Sequence, residues 1–313
     1  MATMVCVLFT LTACPDGSEF DISDGSQPPV TASRKKLKSI TVEMPNSSSK
    51  IKTTINYSYD KVKRVSTIYY HYPSSSNYHL TISFMWDSHK IYVEERYDNL
   101  AKNRTAVFKF NLNKLGFITE IVPLPDESSK NIFSAISDYY TDWYYKYEYN
   151  GNYLSSITVL LKNEGKDNIC NQRRFENNEK ENFTNYDYWI NFNLQGEITN
   201  QSDESINEYS CSPIENIGNI SYINIGHISP LLYFSAARYT TGFTDNTEIC
   251  NLLQIATGLF GKVNKYIITT CNYYSGNSIS CQYTHDNDNY ITSIRALHGS
   301  RQYYDKSISL IWE

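Results

Sequence analysis

The feature that most constrains this chain is a hairpin-sized unit that recurs along it. In its full form the unit has two aromatic residues separated by one position, then Asp or Asn, a short polar turn, and an aliphatic residue followed by Ser or Thr. The copies begin at Tyr57, Phe108, Tyr147, Trp189 and Tyr283. The copy at Trp189 has two positions between its aromatic residues, and the copy at Tyr283 has His285 as its second ring. Alternating aromatics are typical of a strand, and Asp, Asn and Gly between two such runs are typical of a hairpin turn. The repeat therefore predicts a mostly β protein, an antiparallel meander of hairpins.

The strands of this meander alternate apolar and polar residues, which predicts one dry face and one wet face. A curved sheet or a half-barrel satisfies that pattern. The period changes within residues 226–260, where Leu252, Ala256 and Leu259 follow helical spacing. We therefore expect a helical segment over 226–260 that packs on the dry face of the sheet.

The amino terminus has the pattern of an export signal. Residues 4–13 form an apolar run that is too short to span a bilayer but suits the core of a signal peptide. The run ends in Leu11-Thr12-Ala13-Cys14, which resembles the bacterial lipobox and implies lipidation of Cys14. We expect a signal peptide over 1–13, a lipid-anchored flexible tether over 14–36 and a single β domain over 37–313.

Residues after the lipobox extend this resemblance to a family. The late segment from Leu252 to Lys262 ends in a Leu-x-Gly-like turn, and it follows degenerate repeats related to the tyrosine-aspartate type. In these features the chain resembles Bacteroidota cell-envelope lipoproteins of unknown function. The resemblance implies a lipid-anchored protein of the outer membrane, and the acidic residues after Cys14 favour exposure at the cell surface. It implies no catalysis.

Charge and motifs narrow the classes of function. The chain has 28 Lys and Arg against 33 Asp and Glu, a net charge of −5, so it offers no general basic field for nucleic acid. It contains no Gly-rich phosphate loop, Gly-x-Ser-x-Gly elbow, His-Glu-x-x-His or Cys-x-x-Cys. We therefore predict a protein that is not an enzyme, needs no cofactor and binds no nucleic acid.

The richest aromatic stretch, over 139–149, supplies the candidate binding residues. Tyr139, Tyr140, Trp143 and Tyr145 either pack across strands or present rings to a glycan or peptide. We predict an envelope protein that binds a glycan, a peptide or an envelope partner through a Tyr-rich face. The alternatives are a glycan-acting hydrolase, which needs two carboxylates about 5 to 10 Å apart, and a purely structural component.

Two groups of residues carry weaker metal signals. Residues 285–289, His-Asp-Asn-Asp-Asn, offer oxygen atoms at the alternate spacing of a calcium loop, but Ile291 and Leu297 stand where such a loop has Gly and Glu. A hairpin turn is the alternative. His71, His79 and His89 lie among aromatic residues at spacings that match no known ligand signature. We predict no bound metal.

Two cysteines suggest a crosslink. Cys271 and Cys281 flank Gly276 symmetrically, so a hairpin centred there would place them opposite each other. In an oxidising envelope they would form a disulfide if the geometry allows it.

Overall fold

We describe the protein from a computed structural model. The described residues are 35–45, 50–72, 78–87, 89–99, 102–124, 143–163, 166–177, 182–192, 198–202, 205–220, 251–252, 255–272, 278–298 and 305–313. The predicted signal peptide, Cys14 and the tether up to residue 34 therefore lie outside them. Within these ranges, no helix has the length and apolar character needed to cross a membrane.

The described residues form one sheet of seventeen strands. These are β1 (Leu37–Pro45), β2 (Lys50–Tyr59), β3 (Val65–Tyr72), β4 (Tyr78–Asp87), β5 (Lys90–Asn99), β6 (Lys102–Leu112), β7 (Ile118–Pro123), β8 (Trp143–Asn150), β9 (Tyr153–Asn163), β10 (Lys166–Asn177), β11 (Asn182–Phe192), β12 (Ile198–Gln201), β13 (Ser205–Glu215), β14 (Tyr266–Asn272), β15 (Ser278–His285), β16 (Ile291–His298) and β17 (Lys306–Trp312). The predicted mostly antiparallel β-meander is confirmed.

Neighbours in sequence are neighbours in the sheet. From β1 to β11 each strand pairs antiparallel with the next, and the same holds from β13 to β17. Strand β11 pairs with β13 along Asn182–Asp187 and with the short β12 along Ile190–Phe192. Strand β17 pairs with β1, from Trp312 opposite Leu37 to Ser307 opposite Glu43. The sheet therefore curves until its last strand lies beside its first.

Side chains alternate between a dry face and a polar face, as the period of two requires. In β17 the odd-numbered residues are exposed, whereas Lys306, Ile308 and Leu310 are buried. The buried side chains from β1 through β17 form one hydrophobic cluster, in which Phe108 and Phe110 are among the largest fully buried residues. The dry face is thus shared by almost the whole length of the described chain.

The described part of the segment before β14 packs on this dry face. Of residues 226–260, the structure describes 251–252 and 255–260. Residues 251, 252 and 255 are helical, with the amide of Ala256 bonded to the carbonyl of Leu252, and residues 256–260 form turns and a bend. Gly258 and Gly261 then take positive φ values of 76° and 64°, which ends any helix there. The helix prediction is not supported.

Backbone hydrogen bonds attach this segment to the ends of strands. The carbonyl of Leu259 accepts from the amide of Ile118 at 2.9 Å, and the carbonyl of Lys262 accepts from Leu154 at 2.7 Å. Phe260 meets Tyr147 edge to face with ring centroids 5.5 Å apart. These bonds use carbonyl groups that follow the helical turn, where no intrahelical amide is left to bond to them.

Three hairpin turns at one end of the sheet share the same construction. Asp60, Asn113 and Asp286 each accept, at Oδ1, hydrogen bonds from the backbone amides two and four residues later. The residue three positions after each of them has a positive φ: Lys63 at 63°, Gly116 at 78° and Asn289 at 63°. We call this end of the sheet the turn rim. Its turns are specified locally, by an Asx side chain and one left-handed residue.

A second contact recurs at the turn rim. Carbonyl groups near the start of five strands accept a hydrogen bond from an aromatic side chain near the end of the next strand. The pairs are Tyr59 Oη to Leu37, Trp86 Nε1 to Val65, Tyr149 Oη to Ile118, Tyr283 Oη to Ile268, and Trp312 Nε1 to Ile291. The aromatic residues of the repeat thus join one hairpin to the next.

The last residue of each Asx turn covers one of these aromatic rings. Arg64 lies 4.7 Å from the centre of Trp86, while Phe117 and Tyr149 have centroids 5.3 Å apart. Tyr290 packs on Trp312 at 4.9 Å. The copies that begin at Tyr57, Phe108 and Tyr283 therefore each supply an Asx turn whose last residue covers an aromatic donor of another strand.

Candidate functional site

The predicted aromatic stretch divides between the two faces of the sheet. Tyr139 and Tyr140 lie outside the described residues. Trp143 is the first residue of β8, and its side chain also lies outside what the structure describes. Tyr145 is only 7% exposed, and its ring stacks on that of Tyr147 in the core at 6.2 Å between centroids. The ligand contact predicted for Tyr145 is therefore not available on the polar face. Its neighbour Tyr144 points to that face, because successive side chains alternate.

The polar face across β8 to β13 carries a group of partly exposed aromatic and aliphatic side chains. We call this group the tyrosine face: Tyr144, Ile169, Tyr186, Tyr188 and Ile206. The two isoleucines are 40% and 45% exposed. Exposed apolar side chains are typical of an interaction surface where they are grouped with other rings, as Ile206 is with Tyr186 opposite it.

Strand register arranges most of the tyrosine face in two rows on the same side of the sheet. Leu160 of β9 lies between Tyr144 and Ile169 in one row, opposite both of them. In the neighbouring part of the sheet Tyr186 lies directly opposite Ile206, on β13. Adjacent strands are about 4.8 Å apart, so neighbouring side chains within one row lie within reach of each other. Tyr188, opposite Gln172, lies between the two rows.

Polar groups surround the rings of the tyrosine face. The guanidinium of Arg174 lies 5.3 Å from the centre of the Tyr186 ring, and the Tyr186 hydroxyl donates to Glu176 Oε2 at 3.2 Å. The ammonium of Lys146 lies 5.3 Å from the Tyr144 ring. Tyr188 donates to Gln201 Oε1 at 3.4 Å. Ring surfaces, cations and amide or carboxylate acceptors thus lie side by side.

Tyr144 keeps its proton at neutral pH. Burial, a hydrogen bond to Asp167 and the nearby charges of Asp167 and Glu120 raise the pKa of Tyr144 to about 12. The phenol therefore acts as a hydrogen-bond donor and not as a base or nucleophile. This chemistry suits recognition of a neutral or polar ligand.

The predicted histidine group is divided by the fold. His71 of β3 and His79 of β4 lie directly opposite each other, with Nδ1 atoms 3.2 Å apart. His89 lies at the turn rim, where its carbonyl accepts from the amide of Leu112. In the part of the chain that the structure describes, no three His, Cys, Asp or Glu side chains are gathered in a metal-binding arrangement.

The calcium-like sequence 285–289 forms the turn between β15 and β16. Oδ1 of Asp286 is occupied by the amides of Asp288 and Tyr290. The ammonium of Lys35 lies 2.7 Å from Asp286 Oδ2 and 2.5 Å from Asp288 Oδ2. A lysine thus occupies the position between these carboxylates, and the hairpin alternative describes this stretch.

The two candidate disulfide cysteines are not opposite each other. Cys271 faces Ile279 across the β14–β15 pair, and Cys281 faces Ala296 on the β15–β16 pair. Both are buried thiols in the structure. The symmetric spacing around Gly276 misled the prediction because the actual register of the hairpin is shifted from that symmetric centre. Directly opposed positions are the ones that bring Cα atoms within disulfide range.

Comparison with known proteins identifies the fold. No protein-family model matches the chain, and no curated protein matches it. A crystal structure of a porin-like protein from Bacteroides uniformis matches with a TM-score of 0.56 and 15% identity, covering 88% of this chain and 96% of that one. A porin-like protein from Bacteroides vulgatus matches with a TM-score of 0.44 and 11% identity, covering 90% and 99%. The match to the Bacteroides uniformis protein shows that the two chains have a similar fold.

Sequence reasoning missed most of the tyrosine face. Tyr186 and Tyr188 alternate along β11, which is the signal that would have placed them on one face. Their neighbours Arg174, Ile169 and Ile206 belong to other strands. Only the register of three strands brings these five residues together, and a single sequence does not show register.

Proposed function

We propose that this protein is a non-enzymatic, lipid-anchored protein of the cell envelope that binds a glycan through its tyrosine face. The observation that carries the proposal is the set of partly exposed Tyr144, Tyr186 and Tyr188 on one face of the sheet, together with two exposed isoleucines. Sugars present one apolar face of C–H groups and an edge of hydroxyls. A tyrosine surface with adjacent acceptors and cations complements both.

The arrangement of polar groups supports a glycan over an apolar peptide. Glu176 and Gln201 accept hydrogen bonds from Tyr186 and Tyr188, and Arg174 and Lys146 lie over tyrosine rings. These groups are side chains on a sheet, so they are held at fixed spacing. A ligand rich in hydroxyls can exchange bonds with them without leaving buried polar atoms unsatisfied.

The cellular location in this proposal follows from Cys14 and the chain that follows it. Lys36 and Glu313 exchange two backbone hydrogen bonds of 2.7 and 2.8 Å, so the chain enters the domain at the turn rim. A lipid on Cys14 then tethers the turn rim to the membrane. Residues of the tyrosine face project sideways from strands that run away from that rim, and they stay accessible to envelope glycans.

Binding measurements on side-chain variants test the glycan proposal. The full mature chain is titrated with hexameric β-glucan, α-mannan and polygalacturonate, and the best probe is then titrated into Tyr186→Ala and Tyr188→Ala. We expect the Kd to rise about tenfold for each variant, because a stacking aromatic contributes about 1 kcal/mol or more. Tyr92→Ala is the matched control, since Tyr92 lies on the same polar face of β5.

The result decides between classes of function. Equal weakening by the Tyr92 control, or unchanged binding in both β11 variants, would rule out the tyrosine face as the site. Release of reducing ends from the probe would establish the hydrolase alternative. Absence of binding to all three probes and to the cell's own isolated envelope glycans would contradict glycan recognition and favour a structural role.

The lipid anchor has its own test. Intact mass and membrane fractionation of the native protein are compared with those of a Cys14→Ala variant. We expect the native protein to lack residues 1–13, to carry acyl mass on Cys14 and to be in the membrane fraction, and the variant to be released. An unprocessed native protein outside the membrane fraction would refute the proposed location while leaving the tyrosine face to be tested separately.

A further inference from the structure

A second group on the polar face lies on β3 and β4, away from the strands of the tyrosine face. His71 and His79 occupy directly opposed positions, and their rings stack with centroids 4.9 Å apart and planes 19° from parallel. Tyr69, two residues from His71 on the same face, stacks on His79 at 5.7 Å. Its side chain is 38% exposed, so the group is open to solvent.

Three electron-pair donor atoms converge in this group. The Nδ1 atoms of His71 and His79 are 3.2 Å apart, and the Tyr69 hydroxyl oxygen is 2.6 Å from His79 Nδ1. Nδ1 of His79 therefore has two other atoms with lone pairs, Tyr69 Oη and His71 Nδ1, within hydrogen-bond distance. His79 Nδ1 carries either one N–H or one lone pair, so it can bond to only one of its two neighbours at a time. A cation with vacant coordination positions would satisfy all three together.

The separation of the two nitrogens fits a shared metal ion. Zinc binds imidazole nitrogen at about 2.0–2.1 Å in tetrahedral sites, so two nitrogens on one ion lie about 3.3 Å apart. The observed 3.2 Å is close to that value. Imidazole is a preferred ligand of Zn²⁺ and Cu²⁺, whereas Ca²⁺ and Mg²⁺ prefer oxygen.

We propose that His71 and His79 form a surface site for a divalent transition-metal ion of the zinc and copper class, with the Tyr69 hydroxyl as a third contact. Water completes the coordination. The pair is pre-positioned because sheet register and not loop conformation holds the two residues opposite each other. This site is independent of the glycan proposal, since it shares no residue with the tyrosine face.

Calorimetric titration of the full mature chain with Zn²⁺ and, separately, Cu²⁺ tests the site. We expect one ion per chain, and a Kd at least about tenfold higher in His71→Ala and in His79→Ala, since each variant removes one of two nitrogen ligands. His89→Ala is the matched control, because His89 lies at the turn rim, and it should bind as the native protein does. Tyr69→Phe should weaken binding less than either histidine variant.

A thermal melt of each variant without metal verifies that the exposed substitutions leave the fold intact, and the melt with metal gives a second readout. We expect Zn²⁺ to raise the Tm of the native chain and of His89→Ala but not of the His71→Ala, His79→Ala double variant. A double variant that keeps the native affinity would place the ion elsewhere and overturn the proposal. If one alanine variant fails to fold, His79→Gln repeats the test with a polar side chain of similar size.

Discussion

The turns at Asp60 and Asp286 have the same backbone but are closed by cations from different parts of the chain. At the first turn, Asp60 Oδ2 bonds at 2.8 Å to Arg64 of the same turn. At the second, Asp286 Oδ2 bonds at 2.7 Å to Lys35, which is distant in sequence. The backbone conformation of such a turn is therefore local, while its electrostatic partner depends on where the turn lies in the sheet.

The aromatic contacts differ in the same way. Arg64 covers Trp86 with a guanidinium, whereas Tyr290 covers Trp312 with a ring. Trp312 also faces Gly218, where an added Cβ would lie 2.9 Å from its ring. The second turn is built into a crowded junction of Lys35, Gly218 and the last strand, whereas at the first turn the covering side chain of Arg64 is 38% exposed. We therefore expect an equivalent substitution to destabilise the protein more at the second turn than at the first.

The largest effect is expected at the tryptophans. Trp312→Ala should lower the free energy of unfolding by about 3 kcal/mol, because it removes a packed ring and the hydrogen bond to Ile291. Trp86→Ala should cost about 2 kcal/mol, since solvent and Arg64 can adjust around the gap. Urea denaturation of both variants measures the difference. A larger loss at Trp86 would show that the junction around Trp312 is not the tighter one.

Removal of the Asx acceptor should have the next largest effect. Asp60→Ala deprives the amides of Val62 and Arg64 of their acceptor and should cost about 1–2 kcal/mol. Asp60→Asn should cost less than half of that, because Asn113 fills the same role naturally. Chemical denaturation of the two variants is the measurement. Equal losses would show that charge, and not the Oδ1 acceptor, maintains the turn.

Replacing a residue of positive φ by glycine should have a smaller effect and should stabilise the protein. Lys63→Gly should stabilise the protein by about 0.5–1 kcal/mol, because a side chain at a φ of 63° is strained and glycine is not. Asn289→Gly should stabilise by only a few tenths of a kcal/mol, since Asn tolerates this region. The reverse change, Gly116→Lys, is the control and should destabilise. Thermal melts of the three variants test the order.

We expect the smallest effect when the cation beside one of the two turn carboxylates, Asp60 and Asp286, is changed. The hydrogen bond from Lys35 is the largest cause that lowers the pKa of Asp286. At Asp60, burial raises the pKa, but the backbone and side-chain hydrogen bonds from Arg64 and its charge outweigh that, so the pKa is lowered. Lys35→Met should therefore move the pKa of Asp286 toward its ordinary value and leave that of Asp60 unchanged.

The sign of the pH dependence follows from these shifts. A lowered pKa in the folded state stabilises the protein above the ordinary carboxyl pKa, and this stabilisation is lost as the pH falls through the lowered value. The native chain should thus lose stability below about pH 4, and Lys35→Met should lose less over that window. A ¹³C carboxyl titration by NMR, resolved for the two residues, is the measurement. An unchanged Asp286 titration would show that Lys35 is not bound in solution.

Hairpins were predictable because their determinants are adjacent in sequence. The units starting at Tyr57, Tyr147 and Tyr283 predict the pairs β2–β3, β8–β9 and β15–β16, which are confirmed. A turn needs only an Asx side chain and a residue that accepts positive φ, so a few letters suffice. The unit at Phe108 was also placed correctly, although its turn is centred on Asn113 and not on Asn111.

A turn with a similar Asx contact at Asn216 was not predicted from the sequence. Asn216 Oδ1 accepts from the amide of Ile220, and Asn219 has a φ of 52°. At this turn the amide of Asn216 bonds to the carbonyl of Lys265, whereas at the three hairpin turns the amide of the Asx residue bonds to the carbonyl four residues later. The repeat pattern does not include this turn, because no pair of alternating aromatic residues precedes Asn216.

The helix over 226–260 illustrates the limit of periodicity. Leu252 and Leu259 do lie on the dry face, and Ala256 packs against it, as their spacing predicts. Of the backbone, the structure describes 251–252 and 255–260, where one helical turn is followed by a glycine with positive φ. Apolar spacing thus predicted correctly that these side chains are buried, but a helix over the whole of 226–260 is not supported.

By itself, the sequence determined the strand pattern, the hairpin turns and the apolar face, because each depends on residues within a few positions of one another. The tertiary structure alone decided which strands meet, and so it alone produced the tyrosine face, the opposed pair of His71 and His79, and the contact of Lys35 with Asp286. These groupings depend on the register and curvature of a long sheet. A shift of one residue in any pair would turn every side chain of that strand to the other face.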